Sequence, residues 1–203
     1  SGTAVIPYTL CDPTAQCDNA NITFTVVAVN VIVNPGAGGY PTLKDAFDAI
    51  NAGTHTGVLT VDIVGNTTET AAAILNESGS GAASYTSILV KPSGGPRTIT
   101  GSNTSSLIRL IGADGVTING STTGASAAAC LIGGDAAIRE LTIQNTNTGT
   151  AAVVLSVGSG TNGAQNNTIK NVNILGQSPL TTLIGISLGA NTPGQVGTDN
   201  DNN

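Results

Sequence analysis

The side chains able to do chemistry are few and far apart. Along residues 91–170 the charged groups are Lys91, Arg97, Arg109, Asp114, Asp135, Arg139, Glu140 and Lys170. Acid–base work on a sugar needs an acid and a base within hydrogen-bond reach of one ring. This stretch has no Asp-Asp or Asp-x-x-Asp pair and no histidine. Asp114 and Asp135 each follow an Ile-Gly-small run and could share a corner as a weak Ca²⁺ site. Asp is also a common turn former through its own backbone hydrogen bonds, and that reading is favoured. Arg139-Glu140 reads as a solvated pair. His55, the single histidine, lies in Gly53-Thr54-His55-Thr56-Gly57 and reads as a surface residue. Asp199 and Asp201 offer oxygen donors but lack the Gly and distal Glu of a calcium loop. No catalytic, cofactor-binding or metal-ligating residue is expected, and the chain is expected not to be an enzyme.

Cysteine chemistry is equally sparse. Cys11 and Cys17 close a short loop and are the disulfide candidate, which would fit an oxidising, extracellular compartment. The alternative is two free thiols facing each other across a hairpin. Cys130, within Ala129-Cys130-Leu131-Ile132, reads as a small core residue. Sequons occur at Asn21, Asn66, Asn76, Asn103, Asn119 and Asn166, as expected from an Asn- and Thr-rich composition.

Composition excludes whole classes of partner. The chain has 6 basic and 12 acidic residues, a net charge of −6 and 2% aromatics. Nucleic-acid binding needs a basic stripe, usually with stacking platforms, so no nucleic-acid partner is expected. No run of about 18 apolar residues exists, so no membrane insertion is expected. No basic leader precedes an apolar stretch, and the chain starts at Ser1, so it reads as a mature or excised segment. Val, Ile and Thr with few Leu, Glu and Lys argue for β structure.

Three zones follow. Residues 1–33 read as a β-hairpin with an extended exit: Val5–Leu10 is one strand, and Asn21–Val26 alternates polar and apolar. An isolated hairpin is marginal in water, so Tyr8, Ile22, Phe24 and Val26 call for a cover, supplied either by earlier sequence or by the sheet of a neighbouring chain. Residues 34–53 read as a linker and a capping helix. Thr42 can cap it, Leu43, Ala46, Phe47 and Ile50 make one stripe at i, i+3, i+4 and i+7, and Gly53 suits the stop.

Residues 54–203 repeat. Ile111-Gly112-Ala113 is answered by Ile132-Gly133-Gly134, Val157-Gly158-Ser159 and Leu188-Gly189-Ala190, at spacings of 21, 25 and 31. Val116–Gly120 is answered by Leu141–Asn145 and Val172–Gly176, at spacings of 25 and 31. Such periods signal a solenoid. The expected fold is all-β, a right-handed parallel β-helix with one N-terminal capping helix and an N-terminal hairpin, ending mid-rung. A β-sandwich is the rival, and the repeated strand–Gly–small order favours the helix.

Tyr40–Ile50 followed by Val61-Asp62-Ile63 resembles the capping helix and first rung of pectin-lyase-like β-helix proteins. Ile88–Gly120, with Pro96-Arg97-Thr98-Ile99-Thr100-Gly101, is similar to the β-helix regions of very large secreted surface proteins of the Bacteroidota. Residues 1–33 resemble the last strands of an Ig-like repeat from such adhesins. The resemblance implies an extracellular, cell-surface location. The function expected is a non-catalytic structural module, a rigid stalk or filament subunit in adhesion or surface assembly. The alternative is a polysaccharide-binding or polysaccharide-degrading protein. Self-association or continuation into further domains is expected, with a surface glycan as the other partner considered. If the chain polymerises, Asn21, Ile22, Phe24, Val26, Val29 and Val31 are the candidate inter-subunit strand, completing a neighbour's sheet by strand addition.

Overall fold

The computed structural model describes residues 2–36, 38–123, 138–149, 151–158, 163–177, 184–189 and 203. Strands β1 (Gly2–Cys11) and β2 (Cys17–Val26) form an antiparallel hairpin, in register from Cys11 opposite Cys17 to Gly2 opposite Val26. At its turn the Asp12 carboxylate accepts from the Thr14 hydroxyl and from the Thr14 and Gln16 amides. These bonds, Thr14's first, hold the Asp12 carboxyl below its ordinary value.

The body starts with β3 (Val31–Asn34) and β4 (Gly38–Tyr40), followed by helix α1 (Leu43–Asn51). Then come β5 (Thr56–Ile63), β6 (Thr67–Glu69), β7 (Ala73–Asn76), β8 (Ser84–Pro92), β9 (Arg97–Gly101), β10 (Ser106–Ile111) and β11 (Val116–Asn119). β12 (Leu141–Asn145), β13 (Val153–Gly158), β14 (Thr168–Lys170), β15 (Val172–Leu175) and β16 (Ile184–Gly189) complete the described elements.

These strands belong to four separate sheets. The hairpin is one. The second is ordered β14-β11-β8-β5-β3-β4 and is mixed, because β3 runs antiparallel to both β4 and β5. The third and fourth, β15-β12-β9-β6 and β16-β13-β10-β7, are parallel. The expected right-handed parallel β-helix is corrected accordingly. Among the described residues the fold is mostly β with one helix, in separate parallel, mixed and antiparallel sheets, and a single solenoid is not formed. The physical reason is visible at β3, whose main chain closes the mixed sheet antiparallel to its neighbour β5, and at the hairpin, which bonds only to itself.

The alternation read from sequence is the burial pattern of the strands. Leu59, Val61 and Ile63 of β5 are buried while their odd-man neighbours are partly exposed, the period-2 pattern of a sheet with one inner face. Parallel pairing stacks like on like across the strands: Val61 beside Val90 beside Ile118, and Ile143 between Ile99 and Ile174. Leu75, Leu110, Val157 and Leu188 form a third column. These aliphatic ladders fill the core without aromatic bulk from Leu75 to Val157, while Leu188 at the end of the third column is exposed.

Helix α1 is held at both ends. Thr42 Oγ1 accepts from the Asp45 amide as N-cap, and the buried Glu69 carboxylate accepts from the Leu43 and Lys44 amides at 3.0 and 2.9 Å. A carboxylate there satisfies two orphan donors and complements the positive end of the helix. At the other end Asn51 donates to the Ile74 carbonyl and accepts from the Asn76 amide. The helix thereby covers β7, an edge strand, with both polar bonds and its apolar stripe. Leu43, Ala46, Phe47 and Ile50 are all buried.

Two further expectations are corrected. The N-terminal unit does not run to residue 33, since Val31–Asn34 is β3 of the body. Among the repeat members, Val116–Asn119 belongs to a different sheet from Leu141–Asn145 and Val172–Leu175. The spacing of 31 does hold, because Leu141 pairs with Val172 and Val157 with Leu188. Cys130, Asp135, Asp199 and Asp201 lie outside the described residues.

Candidate functional site

The described side chains that could do chemistry are spent on structure. Asp114 Oδ1 accepts from the Gln165 amide at 2.7 Å, a bond across 51 residues that ties two segments of the body together where a local turn bond was expected. Glu140 Oε2 accepts from the Thr122 amide at 2.8 Å, and this backbone hydrogen bond is the main cause holding its carboxyl below the ordinary range. Lys91 and Asp62 pair at 2.7 Å on adjacent strands of the mixed sheet, and Asn34 donates to the other Asp62 oxygen. Arg109 bonds the Ser105 hydroxyl. Among the described residues no three His, Cys, Asp or Glu side chains converge to hold a metal.

One cleft stands out, an open depression of about 490 Å³ lined by Pro35, Gly36, Gly38, Tyr40, Thr54, His55 and Thr56. Strand β4 brings Tyr40 to it, and the turn after α1 brings His55. Their polar atoms, Tyr40 Oη and His55 Nε2, are 2.7 Å apart, and the rings meet edge to face. His55 is 7% exposed, which corrects the surface position expected from its polar neighbours. Burial pushes the Tyr40 phenol above its ordinary value, so it stays protonated near neutrality. An activated nucleophile needs a base that is itself oriented by a third group. Among the described residues no carboxylate lines the cleft, and Thr54 and Thr56 add hydroxyls beside His55.

Glycine makes that pair possible. A Cβ on Gly38 would stand 2.6 Å from both Cε1 and Nε2 of His55. Gly38→Ala is therefore expected to displace the imidazole and lower stability by about 1–3 kcal/mol, the cost of overpacking, read as an earlier urea midpoint with unchanged slope. The only sequence signal for this pairing was the Gly-rich loop facing a lone histidine.

The hairpin is a site of another kind. Cys11 and Cys17 are joined by a disulfide, with Cα atoms 4.0 Å apart. That separation marks a non-hydrogen-bonded pair. Counting back along the ladder, Pro7 opposite Asn21 is also a non-hydrogen-bonded pair, so the Pro7 nitrogen faces the open edge, where a missing donor costs the ladder nothing. The register sorts the side chains by face. Ala4, Ile6, Tyr8 and Leu10 share one face with Ala20, Ile22, Phe24 and Val26, while Thr3, Val5, Pro7 and Thr9 share the other with Asn19, Asn21, Thr23 and Thr25. Every hairpin residue from Gly2 to Val26 is exposed.

The candidate inter-subunit strand is divided by this arrangement. Asn21, Ile22, Phe24 and Val26 lie on the exposed hairpin, and Val29 is exposed in the segment that follows. Val31 is buried and paired on both sides within the chain, with Tyr40 and Ile63, and is corrected as unavailable to a neighbour.

Asparagine ladders are the feature that sequence reasoning missed. Asn145, fully buried at the end of β12, donates from Nδ2 to the carbonyls of Asn103, Ser105 and Val153, and its Oδ1 accepts from the Asn103 and Asn147 amides. Asn167 donates to the Ala113 carbonyl and accepts from the Val116 amide. Asn203 repeats this on Ala164 and on Asn167 itself. Asn167 and Asn203 each clip together two main-chain groups, and Asn145 clips five.

Fold and sites together define a mostly β protein whose layers are cross-bonded by buried asparagines and which carries an exposed, disulfide-stapled amphipathic hairpin. Comparison with protein-family models, curated proteins and solved structures gives no match.

Proposed function

We propose that this chain is a non-catalytic structural module of an extracellular surface assembly, its β body acting as a stiff spacer that presents the hairpin. The observation that carries the reading is the set of buried Asn145 and Asn167 clips, which tie adjacent layers through side chains as well as through the strand ladders. Buried polar networks with every group satisfied rigidify a structure and specify one packing. The Cys11–Cys17 bond agrees with an oxidising compartment. Pulling the chain by its ends in a force spectrometer tests the spacer role. The body is expected to yield in one cooperative step, at a force that falls when Asn167 is replaced by Ala. Gradual extension at low force, or release of sugar products from a panel of acidic and neutral polysaccharides, would overturn the reading.

A further inference from the structure

We infer that the apolar face of the hairpin is a self-association surface, on which the same face of a second copy packs sheet against sheet. Among the described residues the hairpin stays exposed along its whole length, yet it is far from polar on that side. Ile6, Tyr8, Leu10, Ile22, Phe24 and Val26 are between 45% and 72% exposed. At 45–72% exposure these six residues present at most roughly 700 Å² per copy, so packing two such faces removes at most about 1,400 Å² from water, which overlaps the lower part of the roughly 1,200–2,000 Å² range of stable interfaces. A patch of this size also exceeds what a monomer commonly exposes, roughly 300–600 Å².

The chemistry selects a second copy as the occupant. The face carries no cation, and its one charge, Asp18, sits at the turn end opposite Leu10. A partner must therefore be apolar over the same two-strand width and free of charge at its centre, and the hairpin itself meets both conditions. A two-fold arrangement with the hairpins antiparallel keeps the two Asp18 carboxylates at opposite ends. The product is a small β-sandwich with the Thr- and Asn-rich faces outward. Two strands alone are marginal in water, and the second sheet supplies the missing layer. This assignment is independent of the spacer role, because it concerns only the hairpin.

Sedimentation equilibrium of the full chain between 1 and 100 µM, disulfide intact, tests it. A reversible dimer is expected. Ile22→Asp and, separately, Phe24→Ser are each expected to weaken it by at least about 30-fold, the effect of losing a central anchor. Thr23→Asp, on the opposite face, is expected to leave it unchanged. The thermal transition of the body and the intact mass of the oxidised hairpin report that each variant is folded. Asn21→Pro removes an outward-facing N–H of β2 without touching the apolar face, and the dimer is expected to survive it. A chain monomeric throughout the range overturns the inference. So does a dimer that dissociates with Asn21→Pro or Thr23→Asp but not with Ile22→Asp, since that pairing would run through the strand edge or the polar face.

Discussion

Replacing Asn145 with Ala is expected to lower the unfolding free energy by about 3–6 kcal/mol. The side chain is fully buried and joins three carbonyls and two amides that belong to the segment after β12, to β13 and to the turn between β9 and β10. Truncation leaves those groups in a dry interior, each costing about 1–3 kcal/mol where no other partner or water reaches it. The range allows for carbonyls that keep a second partner. Asn145→Asp is expected to do at least as much damage, because a carboxylate cannot donate to three carbonyl oxygens and would be buried beside them. Urea unfolding followed by far-UV circular dichroism measures both. A loss under about 1 kcal/mol for Ala would show that water takes over the vacated bonds.

Phe47→Ala is expected to cost about 3–5 kcal/mol. Phe47 is the one phenylalanine in the core, since Phe24 lies on the exposed hairpin. It is entirely buried between Leu43 and Ile50 on the stripe that closes α1 over β7. Nothing nearby is large and flexible enough to refill the space, as the core around it is aliphatic and the chain has no methionine. The loss should appear as a lower urea midpoint and as faster hydrogen exchange at β7, whose edge the helix protects. Glu69 and Asn51 would still pin the helix ends. A change confined to α1, with β7 exchange unaltered, would show that those polar bonds hold the edge without the phenylalanine.

Local features were legible in the sequence because they depend on neighbours in the chain. The stripe Leu43, Ala46, Phe47 and Ile50 buries as its spacing predicts, and Thr42 caps the helix. The hairpin register and the Cys11–Cys17 bond follow from a short turn around Asp12. The repeat was read with less success. Apolar–Thr–Ile runs such as Val116–Asn119 and Leu141–Asn145 look alike although they pair in different sheets. Strands that face the same core from different directions use the same alternation, so similarity of pattern does not say which strand lies beside which. Only the spacing of 31, where neighbouring strands do pair, carried through.

The candidate sites divide in the same way. Nothing near His55 in the chain foretold its burial, because its partner Tyr40 lies 15 residues away and approaches across the glycine loop. Asn145 looked like one more polar corner residue, and its five hydrogen bonds reach as far as 42 residues. By itself, then, the sequence determined the β character, helix α1 and the hairpin, all consequences of composition and short-range period. Tertiary structure alone decided which strands pair, that they form four separate sheets, which asparagines are buried and that one hairpin face is left uncovered. Those outcomes depend on long-range hydrogen bonds and on what packs against what, and a single strand's pattern encodes neither.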